Sequence, residues 1–129
     1  MNIHIKSIPH CEHRYPTVGD WWFDKDGFIQ IRVSKMSNWR YECLVAVHEL
    51  VEVLLCLHSG ISQGSVDRFD MQFEKHREAG VHKPDDECGD DPRAPYKFQH
   101  GIATGVERVL AVMLGVCWKT YEDAIIKLG

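Results

Sequence analysis

The apolar positions change period along the chain. Over residues 2–8, Ile3 and Ile5 alternate with His4 and Lys6, the two-residue period of a strand. A polar stretch with two prolines follows, from Pro9 to Thr17. Val18 to Phe23 is rich in Trp and Phe. From Phe28 to Val33, Ile29, Ile31 and Val33 alternate with Gln30 and Arg32. Between these two runs lies Asp24-Lys25-Asp26-Gly27, turn chemistry that suits a positive φ, so residues 18–35 read as a hairpin. Residues 1–36 are therefore expected to form a small antiparallel sheet with one apolar face.

From 39 to 58 the period becomes helical. Leu44, Val47, Leu50, Val51, Leu54, Leu55 and Leu57 cover most of a helix surface, the pattern of a buried central helix. Ser37 or Asn38 can cap it and Gly60 can end it. A second helix is expected from Ser62 or Ser65 to about Ala79, with Val66, Phe69 and Phe73 as its stripe and Gly80 as its stop. A third begins near Pro95 and is expected to carry Phe98, Ile102, Val106, Val109, Leu110, Met113 and Leu114 to the core. Its Gly101 and Gly105 let another element approach closely. Thr120 and Asp123 read as the cap pair of a short final helix over 121–128. The predicted fold is α+β, one domain over 1–129. It has a sheet region at 1–36 and a helical region at 39–129 made of about three main helices and a short C-terminal one. An acidic loop with three prolines lies at 80–95, a length typical of functional loops.

Composition narrows the function. Apolar residues at 44% and charged residues at 26% fit a folded globular domain and exclude disorder. A net charge of −4 argues against a nucleic-acid partner, which needs a strongly cationic surface. The N-terminus lacks a basic segment followed by an apolar run, and no segment is expected to span a membrane. Five cysteines without a CxxC pair point to a reduced, cytoplasmic protein without a disulfide framework. His10-Cys11-Glu12-His13 has ligand-type residues but no partners at metal spacing, and reads as surface loop.

His48, Glu49 and Glu52 interrupt the oily central helix. His48 and Glu52 lie one turn apart and point the same way. Buried carboxylates need a metal ion, a proton or opposing charges. A His and a carboxylate at i and i+4 can both coordinate one ion, with Glu49 on the adjacent face to activate a water. Asp70 and Glu74 share a face of the second helix, and His100, Thr104 and Glu107 share a face of the third. Asp70 and His100 are the expected further ligands of a divalent metal such as zinc. The alternative is a metal-free network of His48, Glu52, Asp70, His100, Glu107 and Arg108.

His48-Glu49-Leu50-Val51-Glu52 resembles the H-E-x-x-H helix of zincin metallopeptidases, with Glu in place of the second His. In that family the preceding strand lines the substrate cleft. The resemblance implies a metal-dependent hydrolase with Glu49 as general base, acting on a peptide or small molecule. Glu49-x-x-Glu52 followed after 14 residues by Asp67-x-x-Asp70 resembles the magnesium site of MazG-type nucleoside triphosphate pyrophosphohydrolases. Across the whole chain, Gly19-Asp20-Trp21-Trp22, the His48–Glu52 helix, Phe69-Asp70 and Pro92 to Tyr96 resemble small accessory proteins of tailed phages. That resemblance implies a protein of the host cytoplasm, possible oligomerisation, and an anti-defence role. The protein would sequester a nucleotide-derived immune signal of the Thoeris or CBASS type, with Trp21, Trp22, Arg93 and Arg108 as ligand-binding residues.

Overall fold

A computed structural model describes residues 1–128. The chain forms β1 (Ile3–Ile8), β2 (Gly19–Phe23), β3 (Ile29–Ser34), α1 (Trp39–Ser59), α2 (Gln63–Glu78), α3 (Lys97–Met113) and α4 (Trp118–Leu128). It is the α+β arrangement the periodicities predict: a small sheet on three main helices, with a short helix last. Among the described residues, no single helix is long and apolar enough to cross a membrane. All five cysteines are free thiols, and Cys11 and Cys117 are exposed.

The sheet order is β1-β3-β2. β2 and β3 form the expected hairpin, and Gly27 supplies its positive φ of 79°. β1, however, pairs with β3 in parallel, so the sheet is mixed rather than antiparallel. The reason lies in burial. Ile29, Ile31 and Val33 are almost fully buried, which draws β3 to the centre. The ten residues from Pro9 to Val18 are long enough to step over it. Both edges of β3 are therefore occupied. The outer edge of β2 is also partly taken by side chains: Thr17 donates to the Gly19 carbonyl, and Gln63 accepts from the Phe23 amide.

Asn38 caps α1 by accepting from the Arg40 amide, and Gly60 ends it at φ 72°. Ser62 caps α2 through the Ser65 amide. The buried face of α1 consists of Leu44, Val45, His48, Glu52, Val53 and Cys56, so its polar stripe points inward. α4 starts at Trp118, three residues before the expected start at Tyr121. Thr120 and Asp123 lie inside the helix, where i,i+4 bonds Trp118–Glu122 and Lys119–Asp123 support its first turns.

The largest departure from expectation is the orientation of α3. Phe98, Ile102, Val106, Val109 and Met113 were predicted to face the core; all five are exposed. The opposite face, Gln99, His100, Ala103, Glu107 and Ala111, is buried. α3 packs chiefly against α1. That contact brings His100 and Glu107 to His48, and the small Ala103 and Ala111 let the helices come close. Pairing the buried polar groups decides the rotation of this helix. Ala103→Leu should therefore overpack the α1–α3 contact and cost about 1–3 kcal/mol in urea unfolding. A neutral outcome would mean that α3 does not dock by this face.

Candidate metal centre

Three side chains from two helices converge between α1 and α3. His48 Nε2 lies 3.2 Å from Glu52 Oε2 and 3.2 Å from His100 Nδ1, and His100 Nδ1 lies 3.1 Å from the same Glu52 oxygen. All three residues are buried, at 8%, 5% and 7% exposure. The helical spacing of His48 and Glu52 places both on the inward stripe of α1, and the rotation of α3 supplies His100.

The far side of each group is already occupied. His48 Nδ1 is 2.8 Å from Glu107 Oε1, and the other Glu107 oxygen accepts from the Tyr121 hydroxyl at 2.6 Å. His100 Nε2 is 2.9 Å from Glu87 Oε2. Trp21 Nε1 donates to Glu52 Oε1 at 3.1 Å. A carboxylate only accepts, so the ring nitrogens facing Glu107 and Glu87 carry the protons of the neutral imidazoles. The remaining nitrogens, His48 Nε2 and His100 Nδ1, then present lone pairs to each other and to a carboxylate oxygen. Three acceptors meet with no donor among them, a place for a cation or for protons.

The surrounding charge sharpens this requirement. Among the described residues, no lysine or arginine forms an ion pair with Glu49, Glu52, Asp70, Glu87 or Glu107. Arg14 goes to Asp20 and Asp67, Arg77 to Glu74, Arg93 to Asp91 and Lys119 to Asp123. Arg108 lies over the Trp118 ring at 4.4 Å, so it does not complete the metal-free network. Without a metal, protons must fill the site. Burial opposes charge on His48, but hydrogen bonds to Glu107 and Glu52 outweigh it and hold its pKa well above the usual histidine range. The same balance, with Glu52 and Glu87 as partners, lifts His100 to about 9. Burial alone would raise Glu52; its bonds to His100 and His48 bring it down to about 2.

A tetrahedral ion with bonds of 2.0–2.1 Å needs ligand atoms about 3.3 Å apart, close to the observed triangle. Two imidazoles and a carboxylate, each held from behind by a second hydrogen bond, match the outer-shell support that metal ligands receive. These residues can hold a metal ion.

The other expected residues occupy different places. Asp70 is buried but outside the triangle: its carboxylate accepts from Tyr15 at 3.0 Å and from Tyr96. Glu49 is half-buried, with Oε1 pressed against Gly19, where a Cβ would approach to 2.6 Å. It is the one acid of the cluster engaged in no hydrogen bond or ion pair. Burial, and then the charge of Glu52, push its pKa well up. Asp67 pairs with Arg14, Asp70 with two tyrosines and Glu52 with the two histidines, so the acids of the magnesium-type pattern do not converge on one point. Trp22 lies between Arg14 and Arg32, with guanidinium-to-ring distances of 4.9 and 5.2 Å. Trp21, Trp22, Arg93 and Arg108 thus each have a different partner. In the His10–His13 segment, His10 and His13 both contact Ser34 Oγ, at 2.8 and 2.9 Å.

Sequence reasoning missed the contribution of the acidic loop. Glu87 orients His100, and Asp90 Oδ1 lies 3.5 Å from the same nitrogen. Gly89 lies so close to the His100 ring that an added Cβ would fall 2.2 Å from Cγ. A hollow of about 300 Å³ opens on this side, lined by the loop acids, Phe73 and His82. Only Asp85, Asp86, Glu87, Asp90 and Asp91 of this lining were visible as a charge run. Compared with known protein families, with curated proteins and with solved structures, the chain matches none.

Two outcomes follow. Gly89→Ala should push the His100 ring out of the triangle and lower metal uptake at least tenfold, with secondary structure unchanged by circular dichroism. Asp70, raised by burial from 3.8 to about 6 despite its bond from Tyr96, binds its proton more tightly in the folded state. Its contribution to stability is full below pH 3.8 and is lost as pH rises through 6. Relative to Asp70→Asn, the parent chain should lose up to about 3 kcal/mol between pH 4 and 7 in denaturant titrations. A pH-independent difference would contradict the assignment.

Proposed function

We propose that the chain is a metal-dependent hydrolase in which His48, Glu52 and His100 hold one zinc ion and Glu49 is the general base. The observation that carries this reading is the meeting of three potential ligand atoms 3.1–3.2 Å apart in a buried acidic setting that, among the described residues, lacks a lysine or arginine counter-charge. Two histidines and one carboxylate are a set that zinc accepts, and a zinc ion so bound polarises an oxygen substrate and lowers the pKa of a water. Glu107 and Glu87 keep the two imidazoles in the tautomers that ligation needs. Trp21 holds the rear oxygen of Glu52. Glu49 follows His48 directly, feels the charges of both His48 and Glu52, and has no competing partner, so its carboxylate is free to take a proton. The burial that keeps this carboxyl protonated would be offset by a divalent charge held at His48, Glu52 and His100.

The substrate reading departs from the zincin resemblance in one respect. The strand before the metal helix, β3, is paired on both sides and offers no free edge to an extended peptide. The hollow of about 300 Å³ lined by Glu87 and Asp90, which contact His100, favours a compact molecule instead.

Elemental analysis of protein purified from zinc-supplemented medium should find one zinc per chain. Glu52→Ala and His100→Ala should lose it. Glu49→Gln should keep it, while hydrolysis across a panel of amide, ester and phosphoester substrates falls by about 10²–10⁴-fold. Parent protein that stays metal-free and melts unchanged after chelation would overturn the proposal.

A further inference from the structure

The exposed face of α3 has the pattern of a helix-pairing seam. Phe98, Ile102, Gly105, Val109 and Met113 recur at three- and four-residue steps along one side, with Val106 beside them. Phe98 is 73% exposed, Val109 66% and Met113 78%. A Cβ built on Gly101 or Gly105 would meet nothing within 4 Å, so the cleft these glycines make is uncovered in the single chain. We infer that this face binds the same face of a second copy, in an antiparallel two-fold pair of α3 helices.

Area and shape both select a second copy as the occupant. The stripe offers on the order of 600 Å² of apolar surface per chain, at the upper end of what monomers expose. Two such stripes reach the lower end of the roughly 1,200–2,000 Å² buried in stable interfaces. The stripe is also self-complementary when reversed about its midpoint. Phe98 then lies across from Met113 of the second copy, Ile102 from Val109, and Gly105 from Val106. Large residues meet large ones toward the ends, and at the centre glycine meets valine, so the helix backbones can approach there. No charged side chain lies within the stripe to oppose contact. The pairing surface is opposite the face that carries His100 and Glu107, so the dimer does not involve the metal centre. This inference goes beyond the proposed hydrolase activity and does not depend on it.

Sedimentation equilibrium of the full chain from 1 to 100 µM should give twice the 14.9 kDa monomer mass at the upper concentrations. Val109→Asp, at a position exposed in the single chain, should sediment as a monomer with an unchanged circular dichroism spectrum. The register is tested in a background where the exposed Cys11 and Cys117 are changed to serine. There, the Phe98→Cys/Met113→Cys double variant should form an oxidised covalent dimer. Phe98→Cys alone should not, because the equivalent residues would lie about 22 Å apart along the seam. A parent chain that stays monomeric throughout overturns the inference. So does a monomer that instead co-sediments with phosphatidylcholine vesicles, because the occupant would then be a lipid surface. Equal cross-linking by the single variant overturns the antiparallel register.

Discussion

Two imidazole nitrogens and a carboxylate oxygen brought together inside a helical core form the constraint on which the rest of this structure depends. Two imidazole nitrogens and a carboxylate oxygen within 3.2 Å repel unless something positive lies among them. Leaving one such charge unpaired in a buried setting costs several kcal/mol. The neighbours do not relieve this; they enforce it. Glu107, tied down by Tyr121, and Glu87, set in the loop beside Gly89, claim the protons on the outer ring nitrogens. Trp21 fixes the remaining oxygen of Glu52. Each contact narrows the ways in which the centre can be neutral.

The same constraint accounts for the less ordinary features of the fold. α3 turns a face of alanines, His100 and Glu107 toward α1 and leaves its bulky apolar stripe in solvent. Burying that stripe within one chain would have removed His100 from His48. An apolar face displaced outward in this way becomes available for association. The acidic loop, too, has a structural role that its composition hides. It closes over His100, and the missing side chain at residue 89 is what lets it come so near.

Much of this was legible in the chain. The boundaries of α1 and α2 followed from caps that the structure uses, Asn38 and Ser62. His48, Glu49 and Glu52 stood out because charged groups at helical spacing broke an oily surface, and His100 with Glu107 followed from sharing one face of the third helix. What could not be read had no periodic signal. Glu87 and Gly89 lie in an aperiodic loop, so only folding shows that they touch His100. The indole of Trp21 reaches Glu52 through strand placement rather than sequence distance. The parallel pairing of β1 depends on which strand takes the centre, and alternation alone does not encode that. The packed face of α3 is the inverse of what its apolar stripe implies, because such a stripe ordinarily faces the core and here two buried polar groups outweigh it.

X-ray absorption at the zinc edge, on protein loaded with one equivalent of zinc, tests the central claim most directly. The account predicts a first shell of two imidazole nitrogens and carboxylate oxygen at about 2.0–2.1 Å, and loss of one imidazole in His100→Ala. A shell containing thiolate sulphur at about 2.3 Å, or a spectrum of zinc free in solution, would contradict it.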